Sequence, residues 1–319
     1  MTSAQPDETA QHPPQSDLPD VDVVIATRGS RPELLALALE AVRNQTYAGR
    51  IVTTLVFDQS DPDASLADDD SHRPVRLTRN SRTPGLAGAR NSGVLATSSE
   101  LLAFCDDDDE WLPTKVERQV EALRGSQAAT SVTGIVVLYE DRSVTRIPDP
   151  ADLTVETLVR NRVMEAHPST VMVRRRDLLG PIGLVDEKIP GSFGEDYDWI
   201  IRAARLPGGF AVVPEALVKV RWGGSLFSRN WGTIIEALDY LVAKHPEFTG
   251  DRRAHARILG QQAFARAALG ESRSALRTVA RTLRANPAEK RSYLAAGVAL
   301  HLVSAGRVMR MAHRRGRGI

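Results

Sequence analysis

Apolar runs and helical periodicities alternate over the first two-thirds of the chain, and helical periodicity alone continues over the last third. Residues 21–26, Val-Asp-Val-Val-Ile-Ala, form a short β-branched run of the kind found in buried parallel strands. Pro32 then opens a segment with Leu34, Leu35, Leu37, Ala38, Leu39, Ala41 and Val42, an apolar set wide enough for a helix lying on a sheet. Residues 51–57, Ile-Val-Thr-Thr-Leu-Val-Phe, give a second strand, so a βαβ unit opens the ordered part. A short strand at 76–78, a small-residue helix after Gly85 and a buried strand at 101–105 continue the alternation. Further strands are predicted at 130–139 and after His167, with a hairpin-type turn at 140–143 and a helix over 153–164. From residue 233 the pattern predicts helices over 234–244, 251–268, 272–284 and 288–313, broken at Leu269-Gly270 and Asn286-Pro287. Residues 263–287 resemble one helix-turn-helix of the tetratricopeptide type, too little for a repeat array.

Polar residues gather where apolar runs stop. The strand at 101–105 runs into Asp106-Asp107-Asp108-Asp109-Glu110 before Trp111-Leu112-Pro113 returns to apolar packing. So many carboxylates cannot be buried unpaired, and the carboxyl ends of strands in an open α/β sheet are where ligands bind. A hard divalent cation relieves the repulsion; a solvated acidic loop is the alternative. The second strand also ends in acids, at Asp58 and Asp61. Gly85 and Gly88 precede Arg90 and Asn91, a turn that suits a phosphate cradle but is not specific to one. Downstream, Gly194-Glu195-Asp196 opens a helix with Trp199, Ile200, Ala203 and Ala204 on one face. Carboxylates there suit chemistry or simply the positive end of the helix. His167 reads first as a structural residue, with a contact to donor or acceptor as the lesser alternative.

Length and charge narrow the class. A chain of 319 residues suits one large domain and a smaller one, and residues 1–20, rich in Pro, Gln, Asp and Ser, read as a disordered leader. A net charge of +1 gives no global case for nucleic acid. The single cysteine, Cys105, excludes an intrachain disulfide, and there is no membrane-spanning run or secretory signal; a cytoplasmic protein is expected. After Gly270, eleven Lys and Arg face two Glu. Such a basic, amphipathic end suits peripheral contact with the inner face of the plasma membrane, or equally a solvated helix docked on its own domain.

Taken in order, Val-Ile-Ala-Thr at 24–27, Asp58, Gly-Leu-Ala-Gly-Ala-Arg-Asn-Ser-Gly at 85–93 and Phe-Cys-Asp-Asp-Asp-Asp-Glu-Trp-Leu-Pro at 104–113 resemble the nucleotide-sugar-binding half of family-2 glycosyltransferases. The resemblance implies an α/β fold over residues 21–230: a GT-A-like, Rossmann-type mixed sheet flanked by helices, followed by a C-terminal all-α appendage over 231–319. It implies a nucleotide-diphosphate sugar donor, a UDP-sugar favoured, and a glycan or lipid-linked acceptor. Thr27 and Asp58 would hold the nucleoside, with Arg90 and Asn91 near base or phosphate. Asp108 would ligate Mn²⁺ or Mg²⁺, with Asp106 as a further ligand or, like Asp107, on the ribose or metal waters. Asp196, in a Glu-Asp motif with Glu195, would be the general base, and Asp198 stands in reserve. Arg221, Ser225 and Arg229 would meet the diphosphate. Two departures stand out: Asp58-Gln59-Ser60-Asp61 replaces the usual Asp-Asp-Gly-Ser, and Arg28-Gly29-Ser30 follows Thr27. The implied reaction is an inverting sugar transfer in cell-surface glycan synthesis. A nucleotidyltransferase or a non-catalytic sugar-nucleotide-binding scaffold would use a similar acidic edge.

Overall fold

A computed structural model describes residues 18–139, 142–221 and 230–314. The first half interleaves β1 (Val21–Thr27), α1 (Pro32–Arg43), β2 (Ile51–Phe57), β3 (Val75–Arg79), α2 (Leu86–Ala96), β4 (Leu101–Asp106), β5 (Glu110–Trp111) and α3 (Lys115–Arg124). It continues through β6 (Thr130–Tyr139), β7 (Arg142–Arg146), α4 (Val155–Arg160), β8 (Met172–Arg174), α5 (Arg175–Leu179), α6 (Glu195–Ala204) and β9 (Phe210–Arg221). Helices α7 (Trp231–Lys244), α8 (Glu247–Gly250), α9 (Arg252–Ala268), α10 (Ser272–Ala285), α11 (Lys290–Ala299) and α12 (Ala305–Arg314) complete the described chain.

The strands form one mixed sheet in the order β3-β2-β1-β4-β8-β6-β9-β5, with β7 on β6. β1 pairs in parallel with β2 and β4, and β2 in parallel with β3. β8 enters antiparallel between β4 and β6. The register sets Ala26 beside Asp106 and Thr27 beside Phe57, so Thr27, Asp58 and Asp107 leave one edge together. α2 lies so close to the sheet that a Cβ on Gly93 would come within 2.3 Å of Val24. The small residues of 85–93 therefore serve helix-on-sheet packing as well as any ligand.

Three departures from the sequence reading have local causes. The helix expected over 153–164 is only Val155–Arg160, capped by the Thr154 hydroxyl and ended at an extended Asn161. The helix expected over 288–313 is two, because the chain turns at 300–304, where His301 has φ +59. Of the proposed leader, residues 1–17 lie outside the described chain, while the Pro19 carbonyl accepts a hydrogen bond from the Tyr47 hydroxyl at 2.6 Å. The apolar core also runs across residue 230: Ile234, Ala237, Leu238 and Leu241 of α7 join Phe104 and Trp199 in one cluster. A separate cluster of mostly small residues, Ala263, Ala267, Ala275 and Ala295 with Phe264, holds α9, α10 and α11 together.

Candidate active site

Four acids stand at the end of the buried body of β4, and tertiary contacts sort them among partners from other elements. Asp106 accepts a hydrogen bond from Arg90 Nη2 at 2.6 Å. Arg90, itself buried in α2, reaches Glu195 Oε1 of α6 with Nη1 at 2.5 Å. One guanidinium thus links β4, α2 and α6, and its charge is held well above the usual range of arginine against the cost of burial by Asp106 and Glu195. Asp107 accepts from the Thr27 hydroxyl at 2.7 Å and from Arg31. Asp108 is partly exposed and also pairs with Arg31. Asp109 is buried and accepts from Ser169 Oγ at 2.6 Å. Burial, with Asp106 nearby, pushes the Asp109 carboxyl well above its ordinary value.

His167 and Ser169 arrive on the loop before β8, which the antiparallel pairing sets beside β4. Ser169 Oγ also accepts from the Asp106 backbone N–H at 3.0 Å. His167 Nδ1 lies 3.4 Å from Asp109 Oδ2, and Nε2 lies 3.8 Å from Asp106 Oδ2. Asp106, Asp109 and His167 each offer a ligand atom, all within 4.8 Å of one another. Two carboxylates and one imidazole fit a divalent transition ion better than an all-oxygen site would, and Mn²⁺ accepts both donor types.

The first turn of α6 faces this group. Asp196 accepts from Arg162 Nη2 at 2.6 Å. Burial raises the Asp196 carboxyl, but Arg162, His167 and Arg90 outweigh it and hold it below its ordinary value. Burial pushes neighbouring Glu195 up to about 7, in spite of Arg90. The Tyr197 hydroxyl, one residue on, donates to the Leu158 carbonyl at 2.6 Å and ties the helix to α4.

Residues 22–179 match the family model described as Glycosyl transferase family 2. The chain carries a family-2 glycosyltransferase domain. Its relatives include the Escherichia coli UDP-Glc:alpha-D-GlcNAc-diphosphoundecaprenol beta-1,3-glucosyltransferase WfgD, 25% identical over 40% of this chain and 50% of that protein. The chain therefore spans half the length of that relative. The uncharacterized glycosyltransferase YwdF of Bacillus subtilis is 26% identical over 58% of this chain and 68% of its own. Among solved structures, S. aureus TarS 1–349 overlays with a TM-score of 0.59 at 13% identity, covering 93% of this chain and 92% of that one. The same TarS segment has been solved with UDP and with UDP-GlcNAc. This likeness shows a shared GT-A-like fold.

Several residues nominated for the glycosyltransferase donor site are engaged within the protein. Asp58 is buried and accepts from Asn80 Nδ2 at 2.8 Å, Gln59 Nε2 at 3.0 Å and the Gly85 N–H at 3.1 Å. Burial raises its carboxyl, but those hydrogen bonds prevail and lower it, with Arg28 3.6 Å away. The Gly85 N–H is thus turned to Asp58, not left open as half of a phosphate cradle. Thr27 Oγ1 also accepts from the Gly29 N–H at 3.0 Å. Asn91 uses its whole amide on the 185–187 loop: Nδ2 donates to the Val185 carbonyl and Glu187, and Oδ1 accepts from the Val185 N–H. Arg90 faces carboxylates rather than open space. Arg221, at the end of β9, pairs with Glu110, while Ser225 and Arg229 lie outside the described residues.

Two acids have surroundings that bear on their expected roles. Asp108, the expected metal ligand, stands with Arg31 outside the compact group, and Asp109 with His167 stands inside it. The spacing Asp-Asp-Asp-Asp could not tell which acid turns inward. Asp198, the reserve base, is fully buried and receives His245 Nε2 and Lys244 Nζ at 2.8 Å each, with Arg202 Nη2 also at 2.8 Å. It joins α6 to the end of α7 and is wholly enclosed.

Proposed function

We propose that the chain transfers a sugar from a nucleotide-diphosphate donor, with a UDP-sugar favoured, to a hydroxyl on a glycan or lipid-linked acceptor. The arrangement that carries this reading is Asp196 at the start of α6, opposite Asp106, Asp109 and His167 at the end of β4. It supplies an ionised carboxylate beside a group able to hold a cation. The donor class is supported by the UDP complexes of the similarly folded TarS and by the UDP-Glc donor in the name of WfgD. The acceptor class is supported by the diphosphoundecaprenol acceptor in the WfgD name. A lipid-linked acceptor sets the reaction at the cytoplasmic face of the membrane, within cell-surface glycan synthesis.

In this reading Thr27 and Asp58 mark the nucleoside end, and the Arg28 ion pair and the Gln59 hydrogen bond exchange for bonds to the base or ribose. Asp107 and Asp108, through Arg31, shape the neighbouring wall. A divalent cation, Mn²⁺ favoured over Mg²⁺ by the imidazole, would be held by Asp106, Asp109 and His167 and supply charge to the departing diphosphate. Arg221, at the end of β9, would meet that diphosphate, with Ser225, outside the described residues, expected beside it. Asp196 takes the proton of the acceptor hydroxyl as its oxygen attacks the anomeric carbon and the bond to the diphosphate breaks, giving inversion. Glu195, pushed up to about 7, shares the Arg90 guanidinium with Asp106 and holds the two halves of the site together. Arg162 leaves Asp196 when the acceptor hydroxyl arrives.

The test incubates the protein with a panel of nucleotide sugars and undecaprenyl-diphosphate sugar or glycan acceptors, with Mn²⁺, Mg²⁺ or chelator. Release of nucleoside diphosphate that depends on metal and acceptor supports the proposal. Pyrophosphate release would favour a nucleotidyltransferase, and donor binding without product would favour a scaffold.

A further inference from the structure

The outer face of α10 is a row of unneutralised arginines. Arg273, Arg277, Arg281 and Arg284 are all exposed, and Ser272–Ala285 contains no carboxylate. At 1.5 Å per residue the row extends about 16 Å, and at 100° per residue the four guanidiniums fall within a stripe of about 80°. The opposite face, with Ala275, Thr278, Val279 and Thr282, is buried against α9 and α11. Among the described residues, none of these four arginines forms an ion pair, whereas the arginines of the sheet edge, such as Arg28, Arg31, Arg82 and Arg90, each have a carboxylate. Like charges four residues apart on a helix repel, and nothing in the described fold offsets that repulsion.

Apolar side chains stand out in the same helical layer. Leu276, also exposed, flanks the arginine stripe on the same helix. Tyr293 on α11 is 59% exposed, and the turn after α11 holds out Leu300 and Leu302, 55% and 77% exposed. Arg307 and Arg310 follow on α12, also exposed and without an ion pair among the described residues. Among the described residues, no helix is long and apolar enough to cross a membrane.

We propose that the arginine face of α10, with the Leu300–Leu302 turn, is a docking surface for an anionic lipid bilayer. Phosphate headgroups complement the guanidinium row, and the exposed leucines and Tyr293 suit the headgroup–acyl boundary, which a soluble polyanion lacks. The surface belongs to the α10–α11–α12 layer, so it does not depend on the transferase reading: vesicle binding needs no turnover.

The test sediments the full chain with equimolar phosphatidylglycerol–phosphatidylcholine vesicles, with phosphatidylcholine vesicles, and with a short single-stranded RNA as the competing polyanion. The intact protein is expected to pellet with the anionic vesicles at low salt, to release at high salt and to ignore phosphatidylcholine. A variant carrying Arg273→Gln, Arg277→Gln, Arg281→Gln and Arg284→Gln should lose about a thousandfold in partitioning, at about 1 kcal/mol per arginine. The corresponding four-lysine variant should retain most of the binding. Thermal melts of both variants check folding, and the vesicle and salt dependence of the intact protein tests the idea without any variant. Equal sedimentation of the glutamine variant, no preference for anionic vesicles, or displacement from vesicles by RNA at matched phosphate concentration would each overturn it.

Discussion

The sheet edge and the C-terminal helices handle charge in opposite ways. At the sheet edge, acids and arginines from separate elements interlock: Arg90 between Asp106 and Glu195, Arg31 between Asp107 and Asp108, and Asp198 among Arg202, Lys244 and His245. On α10 the four outer arginines share one helix, form no ion pair among the described residues and are exposed. Desolvation explains the contrast. A charge taken out of water needs a partner, and removing one partner strands the other. A charge left in water needs none and stays free for a ligand. Lys115 is the exception at the sheet. It is buried without a carboxylate or a hydrogen-bond partner, its Nζ 3.6 Å above the Trp111 ring, and burial pushes it down to about 7. It gives up its charge instead of pairing it.

The largest effect that would break this comparison is on catalysis. Asp196→Asn is expected to keep donor affinity by calorimetry and to lose transfer by about 10²–10⁴-fold. An active Asp196→Asn protein would remove the base assignment. Next comes the buried anchor. Asp198→Asn is expected to lower stability by about 3–5 kcal/mol in urea unfolding, because Arg202, Lys244 and His245 lose their common charged partner. Burial raises the Asp198 carboxyl, but His245, Arg202 and Lys244 overcome it and hold it well below the usual carboxylate range. Its contribution is therefore complete above the unfolded value of about 4 and is lost as the pH falls below it. A variant as stable as the parent would show the cluster to be neutral.

Lys115→Met tests the exception. Between pH 7 and about 10.5 the unfolded lysine holds a proton that the folded one lacks, so stability rises with pH across that window. The methionine variant should be more stable at pH 7 and should lack that part of the slope; thermal melts across the window measure both. The smallest effect concerns the cation. Ser169→Ala, which loosens Asp109 and the Asp106 backbone, is expected to weaken Mn²⁺ binding about 10–100-fold, as for other outer-shell partners. Asp108→Asn should change it less than Asp109→Asn does. The reverse order in a calorimetric titration would return the ligand role to Asp108.

Much of the scaffold was legible because its signals are local. β1, β2 and β4 are short, buried, mostly apolar runs, and acids follow β2 and β4 directly. The short α4 was less legible, since 153–164 has helical periodicity and only the Thr154 cap and the extended Asn161 shorten it. The break at 300–304 was hidden because no Gly or Pro marks it; a histidine takes the left-handed conformation instead. The roles of Asp109 and Ser169 had no sequence signal, and His167 had an ambiguous one, because they meet the β4 end only through the β8 pairing some sixty residues away. Pro168, which opens the turn that aims them, was the one visible hint.

The sequence by itself determined where strands end in carboxylates, where helices begin, and that positive charge collects after Gly270, since these follow from side-chain type and spacing. Only the tertiary structure decided which carboxylate meets which cation: Asp109 rather than Asp108 beside His167, Asp196 partly exposed against Arg162, Asp198 fully buried, and Arg273, Arg277, Arg281 and Arg284 without an ion pair among the described residues. Ion pairing acts over a few ångströms between elements far apart in the chain, and burial decides its strength, so neither could be read from spacing along one strand or helix.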